Sequence, residues 1–184
     1  MKIFLIILGV IVGLIILWVL LVNVTNKKAA KMARNVDPLD WINTSSFMGF
    51  QLLDDWEFTL SRMHHLGMIS SVDLGEQKLA YQASKDEKFT FKSTINNLKN
   101  IDHVTFEIFK GKLCAINITL KVDEGEDMYE FKHSLWSKYN QAFGKANRIM
   151  TGYVYEGESG SNLVLSLDFD TLRVVIPYYT QLIK

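Results

Sequence analysis

Two of the four histidines stand side by side in RMHHLGM, Arg62 to Met68, and adjacent imidazoles raise the question of a metal site or a proton-transfer pair. A zinc site on a helix needs histidines at i and i+4, converging from one face with a further ligand. Successive helical residues are rotated by about 100°, so His64 and His65 do not face each other. With Trp56, Leu60 and Met63 marking the inward face, His64 falls at its border and His65 points to solvent. His103 opens a strand whose Thr105 and Glu107 face away from the core, and His133 lies across a second helix from Phe131 and Leu135. No HxxxH or HExxH spacing occurs, so no metal site is expected.

The single cysteine, Cys114, excludes an internal disulfide. It shares a strand face with Ile116 and Ile118, which predicts a small core residue whose thiol keeps its proton and is a poor nucleophile. Carboxylates gather at Asp54–Asp55, in DEGED (residues 123–127) and at Asp168 and Asp170. DEGED lacks the spacing and the terminal bidentate Glu of a calcium loop, and reads as a solvated turn feeding acids into the start of a helix. There is no phosphate-cradling glycine loop, nucleophile elbow or CxxC. No catalytic residue or cofactor is therefore assigned. The side chains that do stand out are Phe58, Arg62 and His65, on the outer face of the first helix. An aromatic beside an arginine is typical of interface anchors, which predicts a partner-binding patch. Tyr178 and Tyr179 are similar in kind.

The elements that carry these residues begin with a run free of polar side chains, Ile3–Val22. As a helix it is about 30 Å long, the depth of a bilayer's hydrocarbon core. The run is too long for a signal peptide, and NVTNKKAAKMAR after it offers no small-residue cleavage site. A retained single-pass transmembrane helix is expected over residues 1–24, with a basic segment and linker over 25–46 and one α+β domain over 47–184. Lys27, Lys28, Lys31 and Arg34 outweigh Lys2, which favours a cytoplasmic domain, with export as the opposing orientation. These bases suit anionic lipid headgroups. Of 20 basic and 20 acidic side chains, five basic and no acidic ones fall in residues 1–34, so the remainder carries a net −5. Such a domain offers nothing to a phosphate backbone, and no nucleic-acid partner is expected.

Within the domain, Asp54 and Glu57 have capping-box spacing, and Gly67 suits the left-handed residue that ends a helix. Strands are predicted at Gln77–Ala83, Phe89–Thr94, Val104–Phe109 and Leu113–Lys121, the last two joined in a hairpin by the KGK of residues 110–112. A second helix is predicted from Asp127 to Phe143, stopped by Gly144, followed by strands at Ile149–Glu156, Leu163–Leu167 and Leu172–Tyr178. Helix, about four strands, helix, three strands is the order of an antiparallel sheet with two helices on one face. The segment FMGFQLLDDWEFTLSRMHHLGM, residues 47–68, resembles the opening of small uncharacterised bacterial membrane-anchored α+β proteins. The repeated helix–sheet order is similar to tandem folds of the β-lactamase-inhibitor-protein type. Neither likeness implies a residue role, because fold alone does not carry function. The function expected is a non-enzymatic binding module at a membrane surface. The alternatives are a hydrolase-type enzyme whose site assembles only in the tertiary structure, and a toxin-immunity protein.

Overall fold

The described chain starts at Asp37, whose carboxylate accepts from the Leu39 amide (3.0 Å) and caps a 3₁₀ helix, Pro38–Trp41. Proline suits that first turn, since its missing N–H is one that no carbonyl would have met. The computed structural model describes residues 37–84, 88–93 and 98–176. The apolar run Ile3–Val22, the bases Lys27–Arg34 and the pair Tyr178–Tyr179 lie outside these. Among the described residues no helix is long and apolar enough to cross a membrane. The domain begins earlier than its polar NTSS suggested: Leu39 and Ile42 are buried, and the Tyr139 hydroxyl donates to the Leu39 carbonyl (3.4 Å). Within residues 37–46, expected as linker, Pro38, Leu39 and Ile42 are buried, and the last two join the core.

Strands β1 (Ser46–Phe47) and β2 (Phe50–Gln51) form a hairpin across Met48–Gly49, both at positive φ (49° and 80°), as a type I′ turn requires. Helix α1, Trp56–His65, follows. Its N-cap is Asp55, not Asp54. The Asp54 carboxylate is turned back to accept from the Gln51 amide (3.0 Å), while Asp55 pairs with Lys112 (2.8 Å). At the other end Gly67 has φ 68°, its amide reaches the His64 carbonyl (2.9 Å), and the Met68 amide reaches that of Met63 (2.8 Å). That is a Schellman closure, completed by the buried side chains of Met63 and Met68.

The predicted strand Gln77–Ala83 is instead the end of a helix, α2 (Ser71–Ala83), opened by a capping box between Ser70 and Asp73. Leu74 and Tyr81 lean inward while Val72 and Leu79 are exposed, so its apolar residues form no single stripe. That split hid the helical period. Strands β3 (Lys88–Lys92), β4 (Ile101–Phe109) and β5 (Lys112–Leu120) come next, β4 and β5 joined through Lys110–Gly111, again both at positive φ. Helix α3 spans Met128–Phe143, capped by Asp127 and closed at Gly144. The predicted strand Ile149–Glu156 divides into β6 (Asn147–Ile149) and β7 (Gly152–Glu156) around a tight turn. Strands β8 (Asn162–Ser166) and β9 (Thr171–Val175) complete the order. Two helices, three strands, one helix and four strands therefore replace the expected sequence of elements.

All seven strands after the hairpin join one antiparallel sheet in the order β3-β4-β5-β9-β8-β7-β6. The last strand of each run meets the other at the centre, through β5 and β9. Register sets Phe91, Phe106, Ile116, Val174, Leu163 and Tyr155 in one row across six strands, every one buried. Tyr81 of α2 packs on Phe91 at one end of that row (5.9 Å between ring centroids), and Tyr139 of α3 on Tyr155 at the other (6.0 Å). Helices α2 and α3 thus pack on one face, and among the described residues the α-helices number three, where two were expected. The polar alternates, among them Thr105, Glu107, Asn117 and Arg173, form the opposite face.

Candidate binding surface

On α3 the residues Tyr129, His133 and Trp136 recur at i, i+4 and i+7, one stripe along the helix. Leu135 and Tyr139 point into the core, so this stripe lies along the helix flank. Tyr153 of β7 meets it, with ring centroids 5.5 Å from Trp136, and the His133 ring lies 5.2 Å from the indole at a tilt of 47°. Together with Lys132 and Leu167 these side chains line an open hollow of about 30 Å³, room for a water or two.

The hollow has a fixed floor. Lys132 is only 7% exposed, and its ammonium donates to the carbonyls of Leu167 (3.0 Å) and Phe169 (3.5 Å) and to the Asp170 carboxylate (3.1 Å). A lysine reaches this depth because its apolar stem packs while its charge is fully met. The Tyr155 hydroxyl donates to the Trp136 carbonyl (3.1 Å), clamping α3 to β7 from beneath. Burial, then neighbouring Tyr153, pushes that phenol up to about 12, so it stays a donor. Burial, followed by Asp37 and Asp40, likewise raises Tyr139. Around this rigid base Tyr129 and Phe169 are each 67% exposed. Phe169 stands in the turn that Lys132 holds.

The opposite sheet face carries a charge cluster centred on Glu107. Its carboxylate pairs with Lys88 (2.7 Å), accepts from Asn117 (2.7 Å) and meets Arg173 (3.3 Å). Burial pushes the carboxyl upward, but the Lys88 and Asn117 hydrogen bonds and the Arg173 charge outweigh it, and the net shift is downward. A carboxyl lowered on folding stabilises the native state fully above its ordinary value of 4.5, and that contribution is lost as pH falls through the folded value. Urea unfolding of the full-length protein is expected to show Glu107→Gln destabilising near pH 7, with the difference from the parent shrinking below pH 4.5. A gap independent of pH would remove the ionised carboxylate from this role.

Cys114 departs from its expected position. The register slips between Glu107 and Ile108, so that Ala115 faces Glu107 and Leu113 faces Ile108, leaving Cys114 as the extra residue of a β-bulge. A bulge breaks the alternation that had grouped Cys114 with Ile116 and Ile118. The thiol is half-buried and donates to the Glu107 carbonyl (3.2 Å). Burial first, then the Glu107 charge, raises it, which keeps it protonated.

The histidines remain apart in role. His64 is half-buried with its Nε2 3.0 Å from the Ser71 hydroxyl, and His65 is exposed. His103 sits between Asp102 (2.7 Å) and Thr119 (3.1 Å), and His133 borders the hollow. Among the described residues no three His, Cys, Asp or Glu side chains converge as metal ligands. In the expected patch Phe58 is half-exposed and His65 open. The Arg62 guanidinium, however, is directed at the Met48 carbonyl (3.2 Å) and lies over the Phe50 ring (5.7 Å), covering the β1–β2 turn. Arg62 thus ties α1 to the hairpin.

The described residues define an α+β domain with three α-helices and a large antiparallel sheet. Comparison with protein-family models, curated proteins and solved structures finds no match. The hollow went unnoticed in the sequence, although Tyr129, His133 and Trp136 carried a usable signal in their helical spacing. Tyr153 and Leu167 had none, since only the tertiary fold brings them to α3.

Proposed function

We propose that this chain is a non-enzymatic binding module, held at a membrane by Ile3–Val22, whose main contact surface is the aromatic hollow on α3 and β7. The observation that carries the reading is the exposure of Tyr129 beside a braced floor of Trp136, Tyr153 and Lys132, with a second exposed ring, Phe169, in the turn whose carbonyl Lys132 holds. Large aromatics left in water on a rigid base are the usual anchors of protein interfaces, where two rotatable bonds cost little entropy to immobilise. A hollow of about 30 Å³ is far below the several hundred of a small-molecule site, which favours a partner that lies across the surface. The basic residues Lys27, Lys28, Lys31 and Arg34 would rest against anionic headgroups, with the domain on the cytoplasmic side. Phe58 and His65 offer a second contact, smaller now that Arg62 is engaged within the fold.

A photo-crosslinking side chain placed at Phe169 of the full-length protein in native membranes is expected to give a discrete adduct. The same group at Met150, a hairpin tip 98% exposed, is expected to give none. Tyr129→Ala should abolish the adduct while changing stability by less than about 0.5 kcal/mol, as surface substitutions do. Adducts from Phe58 in place of Phe169 would move the contact to the outer face of α1. Adducts from neither would overturn the reading, and a C-terminal reporter read as exported would overturn the cytoplasmic placement.

A further inference from the structure

The aromatic hollow has a charged surround that the sequence scatters and the fold collects. Residues 123–127, DEGED, lead directly into α3, where the Asp127 carboxylate accepts from the Tyr129 amide (2.6 Å). The turn bearing Asp168 and Asp170 is drawn to the same end of the helix by Lys132, and the Asp170 carbonyl accepts from the Leu120 amide (2.7 Å) at the start of that loop. Asp123, Glu124, Glu126, Glu130 and Asp168 are all exposed, on the two segments that carry Tyr129 and Phe169. Lys132, the lysine that lines the hollow, is buried and paired with Asp170 and two carbonyls.

Resting on the binding-module reading, we propose that the occupant of this hollow is an arginine- or lysine-bearing segment of a partner protein. Each aromatic face presents the negative side of its quadrupole, and a cation over it is attracted, arginine more often than lysine. Tyr129 supplies such a face in a water-exposed position beside Trp136 and Tyr153, and Phe169 supplies another in the turn held by Lys132. The surrounding carboxylates add attraction at longer range, steer a basic segment inward and repel nucleic acid and anionic lipid. A guanidinium can lie flat on a ring while its N–H groups still reach a rim carboxylate such as Glu130 or Asp168.

The test uses full-length protein in phosphatidylcholine nanodiscs and fluorescent peptides of equal length that are arginine-rich, lysine-rich, glutamate-rich, or neutral with proline and tyrosine. Anisotropy is expected to rise with the arginine peptide, less with lysine, and not with glutamate, protein-free discs giving no signal. Phe169→Ala with Tyr129→Ala should weaken the arginine peptide about tenfold. Glu126→Gln with Glu130→Gln and Asp168→Asn should weaken it several-fold and flatten its salt dependence. The distant pair Glu57→Gln and Glu76→Gln, on α1 and α2, should change nothing. Equal weakening by the distant pair would mean diffuse attraction to an acidic protein, and overturns the proposal. If the neutral peptide binds best and only the aromatic substitutions weaken it, the hollow is a binding site but the basic occupant is wrong. If no peptide responds to Tyr129→Ala and Phe169→Ala, the binding reading of the hollow fails with it.

Discussion

Replacing Gly152 with alanine is expected to lower the melting temperature of the full-length protein by roughly 10 °C. Gly152 lies in β7 opposite Ser166 of β8, and a Cβ there would run into the Leu165 carbonyl oxygen, with Leu165 C and Ser166 Cα close behind. All three are backbone atoms of a strand paired on both sides, so no side chain can swing away. Relief requires parting β7 from β8, and overpacking against backbone falls at the upper end of the usual range, about 3 kcal/mol. For a domain of this size each kcal/mol is worth about 3–4 °C. Gly75→Ala should act in the opposite sense. It sits inside α2 with nothing within 4 Å of its added Cβ, and alanine in a helix interior is favoured over glycine by up to about 1 kcal/mol. Thermal denaturation of the pair tests the argument. A harmless Gly152→Ala would show that the β7–β8 spacing yields.

Lys132→Met is the second large effect expected. Methionine preserves the buried stem but removes every donor, leaving the Leu167 and Phe169 carbonyls without the ammonium they now share. Hydrogen bonds from a charged donor are worth more than neutral ones, and although the Phe169 carbonyl keeps the Thr171 amide (2.8 Å), the Leu167 carbonyl loses this donor. Because the Asp170 carboxylate is half-exposed, water can take over that partner, which limits the loss to about 2 kcal/mol. Melting should fall by roughly 6–8 °C. Amide hydrogen exchange should accelerate at Phe169 and Thr171 more than in β4, because the turn is released from α3 while the sheet centre is not. Uniform acceleration across the domain would show instead that Lys132 supports the whole core.

These two positions differ in what sequence could say of them. Lys132 falls within the predicted helix, yet nothing in FKHSLW marks a lysine as buried, since its partners lie 35 to 38 residues away. Gly152 sat inside a predicted strand, where its close approach to β8 depends on register. The α2 helix was misread although Ser70 and Asp73 announced it, because Leu79 and Tyr81 alternate as strand residues do. Of the residues of the expected patch, Phe58 is exposed, while the use of Arg62 on the Met48 carbonyl required the β1–β2 hairpin to be in place.

Local chemistry was enough for whatever depends on neighbours in the chain. It determined the β4–β5 hairpin at Lys110–Gly111, the extent of α3 between Asp127 and Gly144, the stop at Gly67, and the separation of His64 from His65. Each follows from backbone conformation and helical or strand period, which act over a few residues. The tertiary structure decided the rest: the meeting of β5 with β9, the bulge that turns Cys114 toward Glu107, and the assembly of Tyr129, Trp136, Tyr153 and Lys132 into one hollow. These depend on register and on contacts between residues far apart, where a slip of one position exchanges the two faces of a strand.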